Sequence, residues 1–111
     1  MYRDDGGRVQ GFACCGPHPL TEGTFDLYWI AVDPDARRQG VGRALLSQVG
    51  TEVKARGGRL LMIETSGLPS YTPTREFYES CDCRREAVIR DFYAPGDDLV
   101  IFVKELSPRT D

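Results

Sequence analysis

The chain has 111 residues, 41% hydrophobic and 28% charged, which is one domain by size and rules out wholesale disorder. Lys plus Arg is 14 and Asp plus Glu is 17, a net charge of −3, so a fold-wide nucleic-acid binder is disfavoured. No apolar run approaches the roughly 20 residues of a membrane helix. The polar start Met1 to Arg8 is no secretory signal, so a cytoplasmic chain with no membrane partner is expected.

Arg8 to Cys15 reads as a strand, and Gly16 to Gly23, with two prolines, as a loop. Phe25 to Val32 is aromatic and β-branched throughout, which predicts a central strand buried on both faces. Asp33-Pro34-Asp35 ends it, because proline lacks an N–H and restricts the residue before it. Val41, Leu45, Val49 and Val53 recur every four residues with Leu46 beside them, predicting a helix from about Gly40 to Arg56. Gly57-Gly58 supplies its stop, and the interior Gly50 costs about 1 kcal/mol without overturning it. Arg59 to Thr65 is a third strand, so strand, helix and strand make a right-handed parallel crossover.

Ser66 to Pro73 reads as a loop, followed by a short helix Thr74 to Ser80 with Thr72 or Thr74 as its cap. Glu86 to Tyr93 and Leu99 to Lys104 should pair as an antiparallel hairpin across the turn Ala94 to Asp98. The tail Ser107 to Asp111 is expected to fray. This order describes an α/β (α+β) fold in a single domain spanning residues 1–111.

Cys14-Cys15 and Cys81-x-Cys83 lack the spacing of common zinc sites, and His18 lies between two prolines, so no metal is expected. The cysteines read as free thiols of a reducing compartment, with Cys14 or Cys15 packed as a small hydrophobe.

The informative segment is Arg37-Arg38-Gln39-Gly40-Val41-Gly42-Arg43, between a strand and the first turn of an amphipathic helix. Helix N-termini carry unpaired N–H groups and partial positive charge. Glycines at 40 and 42 let an anion approach the backbone, and Arg37, Arg38 and Arg43 add charge. The pattern suits a diphosphate cradle. A Walker loop would need Gly-Lys-Ser/Thr, and the dinucleotide fingerprint would need a third glycine where Leu45 stands. The bland alternative is a glycine-rich helix start with solvated arginines.

Arg37-x-x-Gly40-x-Gly42 resembles the Arg/Gln-x-x-Gly-x-Gly/Ala signature of GNAT-superfamily N-acetyltransferases. The preceding Trp29-Ile30-Ala31-Val32-Asp33-Pro34 is similar to that family's central strand. The later Thr74-Arg75-Glu76-Phe77-Tyr78-Glu79 is similar to its second conserved helix. The resemblance covers roughly residues 8–104. It implies a mixed, mainly antiparallel sheet with a central parallel strand pair that splays, flanked by helices. It also implies acetyl-CoA as cosubstrate, held by the main chain of Arg38, Gln39, Gly40, Val41, Gly42 and Arg43, with Arg37 from the signature. Ile30, Ala31 and Val32 would meet the pantetheine arm, and Phe77 would stand beside the carrier.

The implied reaction is direct attack of an amine on the thioester in a ternary complex, with no cysteine nucleophile. Tyr78 matches the family's acid: a phenol, with an ordinary pKa near ~10, stays protonated at neutral pH and can donate to the departing thiolate. Glu64, alone in an apolar strand, is the candidate base or cation-recognising group, with Asp26 and Glu22 as alternatives. Trp29 and Tyr71 are candidate walls for the acceptor, an amine of a small molecule or protein.

Two departures stand out. Asp82 and Cys83 replace the usual glycine and aromatic after the second helix, and Asp tolerates the left-handed conformation better than most residues. The family's opening strand and two helices are also missing ahead of Arg8. An uncovered strand edge and apolar face would favour a homodimer. The second functional reading is an acyl-CoA-binding or assembly module without a full acceptor site, and the third an unrelated phosphate-binding α/β domain.

Overall fold

The structure is a computed structural model that describes residues 2–3, 9–33 and 40–107. In chain order its elements are β1 (Tyr2–Arg3), β2 (Val9–Pro17), β3 (Thr24–Val32), α1 (Val41–Ala55), β4 (Leu60–Ser66), α2 (Thr72–Ser80), β5 (Arg84–Ala94) and β6 (Asp97–Glu105). A 3-10 turn, Pro69–Tyr71, leads into α2. The strands form one sheet in the order β1-β2-β3-β4-β6-β5. Every neighbouring pair is antiparallel except β3 and β4, which run parallel across the α1 crossover. The mixed sheet with a central parallel pair is therefore the architecture that forms.

The apolar stripe of α1 lies against this sheet. Leu46, Val49 and Val53 share one cluster with Phe25 and Leu27 of β3, Leu61 and Ile63 of β4, and Val100 and Phe102 of β6. Tyr78 of α2 joins the same cluster, so both helices pack on one face. The helix ends as its glycines dictate. The Gly58 N–H donates to the Val53 carbonyl at 2.8 Å and the Gly57 N–H to that of Lys54 at 3.0 Å, with Gly57 at φ 85°. Gly50 has a packing reason: a Cβ there would stand 3.3 Å from the Leu106 side chain.

One-sided packing corrects the expectation for β3. It is central, but it is not buried on both faces. Cys14 pairs with Trp29 and Cys15 with Leu27, which leaves Tyr28 as an extra residue on β3. The bulge interrupts the alternation, so Tyr28 and Trp29 are consecutively exposed, at 56% and 51%. Cys15 is half-buried and packs against the core as expected, Cys14 is exposed, and Cys81 and Cys83 are fully buried thiols. Asp82 between them adopts φ 64°, so the turn after α2 survives without glycine.

The β5–β6 hairpin is longer than expected and turns at Pro95-Gly96. All eleven residues of β5 are exposed. Its register breaks between Arg85 and Ala87 and again between Ile89 and Ala94, and it carries Arg84, Arg85, Glu86, Arg90 and Asp91. Bulges and charges of this kind discourage an edge strand from pairing with another chain. The expected cap of α2 is also corrected: Tyr71 is the N-cap and makes no side-chain cap bond, while Thr72 is already helical. Among the described residues no helix is long and apolar enough to cross a membrane, and no three His, Cys, Asp or Glu gather as a metal site.

Candidate active site

Backbone pairing between β3 and β4 runs from Thr24↔Leu60 to Leu27↔Ile63 and stops there. Both strands continue, β3 to Val32 and β4 to Ser66. Beyond the last pair β3 therefore has a free edge on its β4 side. A cleft of about 730 Å³ opens at this split. Its walls are Ile30, Ala31 and Val32 from β3, Gly40 to Arg43 from the start of α1, and Pro73, Thr74, Phe77 and Tyr78 from α2.

The start of α1 presents donors. Among the described residues Ala44 is the first whose N–H turns back into the helix, to the Gly40 carbonyl at 3.0 Å. The N–H groups of Val41, Gly42 and Arg43 precede that bond, and Gly40, the N-cap at φ 77°, has no side chain to cover them. No acidic side chain occupies the first turn, so no residue of that turn neutralises the partial positive charge there. Arg37, Arg38 and Gln39 lie outside the described residues. The Arg43 guanidinium is committed elsewhere: it donates to the Ser80 carbonyl at 2.9 Å. What Arg43 offers the cleft is its main chain.

Tyr78 is 6% exposed, with its ring tilted against Phe77 and Phe102 at centroid distances of 5.5 and 5.8 Å. Burial pushes its phenol from 10.0 up to about 12, and the neighbouring thiols Cys83 and Cys81 push the same way. It is a proton donor at every physiological pH. Burial likewise lifts Cys83 from 9.0 to about 11, against the opposing charge of Lys104.

These two shifts predict alkaline destabilisation. A raised folded pKa contributes stability fully present below the unfolded value, about 9 for Cys83 and 10 for Tyr78. That stability is lost as pH rises through about 11 and 12. Denaturant unfolding should show a constant free energy near pH 8 and a loss on the order of 2 kcal/mol per group by pH 12. Tyr78→Phe should remove part of the loss. A free energy flat from pH 9 to 12 would contradict the assignment.

Glu64 stands apart from the cleft walls. It is exposed on β4, one residue past the last β3–β4 pair, opposite Ile101 of β6. Two residues the sequence did not single out join it. Tyr93 is shifted upward first by burial, then by Glu64, Asp97 and Tyr71, so these four groups share one electrostatic neighbourhood. Asp97 accepts a hydrogen bond from the Ser66 hydroxyl, which ties the hairpin turn to the end of β4. No local sequence signal marks Tyr93 or Asp97, because the β4–β6–β5 register brings them to Glu64.

Asp26 is engaged elsewhere: its Oδ2 lies 2.8 Å from His18 Nδ1, upstream of the split. Glu22 lies in the β2–β3 loop, where its carbonyl accepts from Arg59 Nε at 2.9 Å. Trp29 stacks edge-on against Phe12 at 4.8 Å, and Tyr71 is exposed at the 3-10 turn before α2.

A family model described as an acetyltransferase (GNAT) domain matches residues 1–82. The [ribosomal protein bS18]-alanine N-acetyltransferase of Escherichia coli K12 is 36% identical over 84 residues, which are 73% of this chain and 55% of that protein. The chain thus spans about half the length of the curated relatives it matches. A solved GNAT-family structure from Desulfovibrio desulfuricans superposes with a TM-score of 0.89 at 51% identity, covering 96% of this chain and 65% of the other. An aminoglycoside 6'-N-acetyltransferase complexed with coenzyme A shares the fold, with a TM-score of 0.83 at 20% identity. That match covers 97% of this chain and 72% of the other.

Proposed function

This chain belongs to the GNAT acetyltransferase family, and from that premise we propose that it moves an acetyl group from acetyl-CoA to an amine by direct attack. The observation that carries the reading is the split beyond Leu27↔Ile63, flanked by the uncapped start of α1 and by Tyr78. The diphosphate of the cosubstrate is assigned to the N–H groups from Gly40 to Arg43, together with Arg37, Arg38 and Gln39. The free edge of Ile30, Ala31 and Val32 is assigned to the amide-bearing pantetheine arm. Phe77, against Gly42, closes the cleft on the α2 side. A CoA complex on the same fold supports this choice of cosubstrate.

In the proposed reaction a neutral amine attacks the thioester carbonyl carbon. A C–N bond forms, and the C–S bond breaks as the tetrahedral adduct collapses. Tyr78 delivers its phenolic proton to the departing sulfur, and its pKa near 12 keeps that proton in place until needed. Glu64 receives the proton lost by the ammonium nitrogen, through water, on the face away from the helices. The Glu64, Asp97, Tyr71 and Tyr93 group offers two carboxylates among phenols, a setting that attracts an ammonium. The acceptor proposed is the α-amine of a protein, by extension from the alanine N-acetyltransferase relative.

The test pairs acetyl-CoA calorimetry with thiol release over a panel of peptides whose N-termini are free or blocked. Saturable binding with release on free N-termini alone is expected. Glu64→Gln should lower release about 10-fold or more at neutral pH while leaving acetyl-CoA affinity unchanged. Binding without release across the panel would shift the reading to an acyl-CoA-binding module.

A further inference from the structure

Helix α2 carries Tyr78, yet little in the helix itself fixes its position. It has nine residues, of which Tyr78 alone is buried, and it has no side-chain N-cap. Helices this short are marginal without outside support. Besides the packing of Phe77 and Tyr78 on the core, its support comes from cations that donate to backbone carbonyls. At the C-terminal end Arg43 of α1 donates to the Ser80 carbonyl at 2.9 Å, and Lys104 of β6 to that of Cys81 at 2.6 Å. At the N-terminal end Arg75 reaches back. Its Nη1 donates to the carbonyls of Ser66 at 2.7 Å and Leu68 at 2.9 Å, and its Nη2 to the Thr72 hydroxyl at 3.0 Å.

We propose that Arg75 is a positioning residue for acetyl transfer, whose guanidinium clamps the end of β4 to the first turn of α2 and so sets Tyr78 relative to Glu64. The proposal rests on the functional reading above. Glu64 lies two residues before Ser66, and Tyr78 lies three residues, just under one helical turn, after Arg75. The covalent arms on both sides of the clamp are short, so the guanidinium controls the separation of base and acid. Between them the Gly67 N–H donates to the Asp98 carbonyl at 2.9 Å and the Leu68 N–H to the Ser66 hydroxyl at 3.1 Å, which leaves Arg75 as the side chain that joins this segment to the first turn of α2. Hydrogen bonds from a charged donor are stronger than neutral ones, and Arg presents several in a rigid fork that one side chain can spread over three acceptors. A displacement near 1 Å at a reacting group is enough to cost about 100-fold in rate.

The experiment compares Arg75→Met, Arg75→Lys, Tyr78→Phe and the Arg75→Met/Tyr78→Phe double variant, with peptide amine as acceptor. Arg75→Met should lower kcat at least 10-fold with the acetyl-CoA Kd within threefold of the parent. Arg75→Lys should recover part of the loss, since an ammonium reaches one of the carbonyls. In the Tyr78→Phe background Arg75→Met should cost less than threefold more, because the clamp acts through the phenol. An equal loss in both backgrounds, a parental kcat, or a parallel rise in Kd overturns the proposal. Should the parent transfer acetyl to no peptide, the functional reading has failed, and hydrogen exchange still decides the clamp. The amides of Gly67, Leu68 and residues 70–72 then exchange faster in Arg75→Met if the guanidinium holds them, and at the parental rate if it does not.

Discussion

Gly42→Leu should weaken acetyl-CoA binding at least 100-fold while the protein stays folded. A Cβ at position 42 would stand 3.1 and 3.2 Å from two Phe77 ring carbons and 3.8 Å from Val32 Cγ2. The rest of a leucine then has nowhere to go except the cleft between β3 and α2. There it displaces the diphosphate from the N–H groups of Gly42 and Arg43. A 100-fold loss corresponds to about 2.8 kcal/mol, the scale of a few lost anion-to-amide hydrogen bonds. Stability should survive, because a glycine inside the first turn of a helix is itself about 1 kcal/mol worse than alanine.

Gly40→Ala separates two causes. Among the described residues nothing lies within 4 Å of a Cβ at 40, and φ is 77°, so this substitution strains the backbone by roughly 1–2 kcal/mol while adding only a methyl group at the cleft wall. Calorimetry and thermal unfolding on both variants distinguish blockage from strain. A Gly42→Leu protein that held acetyl-CoA as tightly as the parent would remove the basis for placing the diphosphate at this turn.

Tyr78→Phe should lower kcat by about 100-fold or more, the usual contribution of a positioned proton donor, with acetyl-CoA affinity unchanged. The substitution is clean because the ring contacts to Phe77 and Phe102 are aromatic and remain in phenylalanine. The parent's rate should not fall through Tyr78 ionisation until pH approaches 12. Loss of turnover at pH 8 to 10 would therefore have another source. Steady-state rates of both proteins from pH 6 to 10 check this, and parental kcat in the variant would remove Tyr78 from the reaction.

The apolar period of Val41, Leu45, Val49 and Val53 appears in the helix that forms from Val41 to Ala55, and Gly57-Gly58 ends it where they stand. The glycine-led start of α1 was legible for the same reason. Its donors are main-chain N–H groups at a helix start, and glycine is the one residue that advertises an uncovered backbone. Strand boundaries moved by at most two residues, most at β2, β5 and β6, because partner strands determine where pairing begins. The two-sided burial read into Phe25 to Val32 failed for a related reason: strong apolar content says that a strand wants cover, not that cover exists on each face.

What the sequence determined by itself is local. It specified which segments are helix and strand, where backbone donors are bare, and that a phenol and a carboxylate sit at set distances along the chain from that turn. The tertiary structure decided the rest. It placed the bulge at Tyr28, since a bulge exists only against a partner strand. It also gathered Glu64, Tyr71, Tyr93 and Asp97, which depend on β4, β6 and β5 meeting in one register. The bonds from Arg75 to the Ser66 and Leu68 carbonyls were invisible for a simpler reason. Every residue carries the same carbonyl oxygen, so no side-chain pattern records which one a distant guanidinium will find.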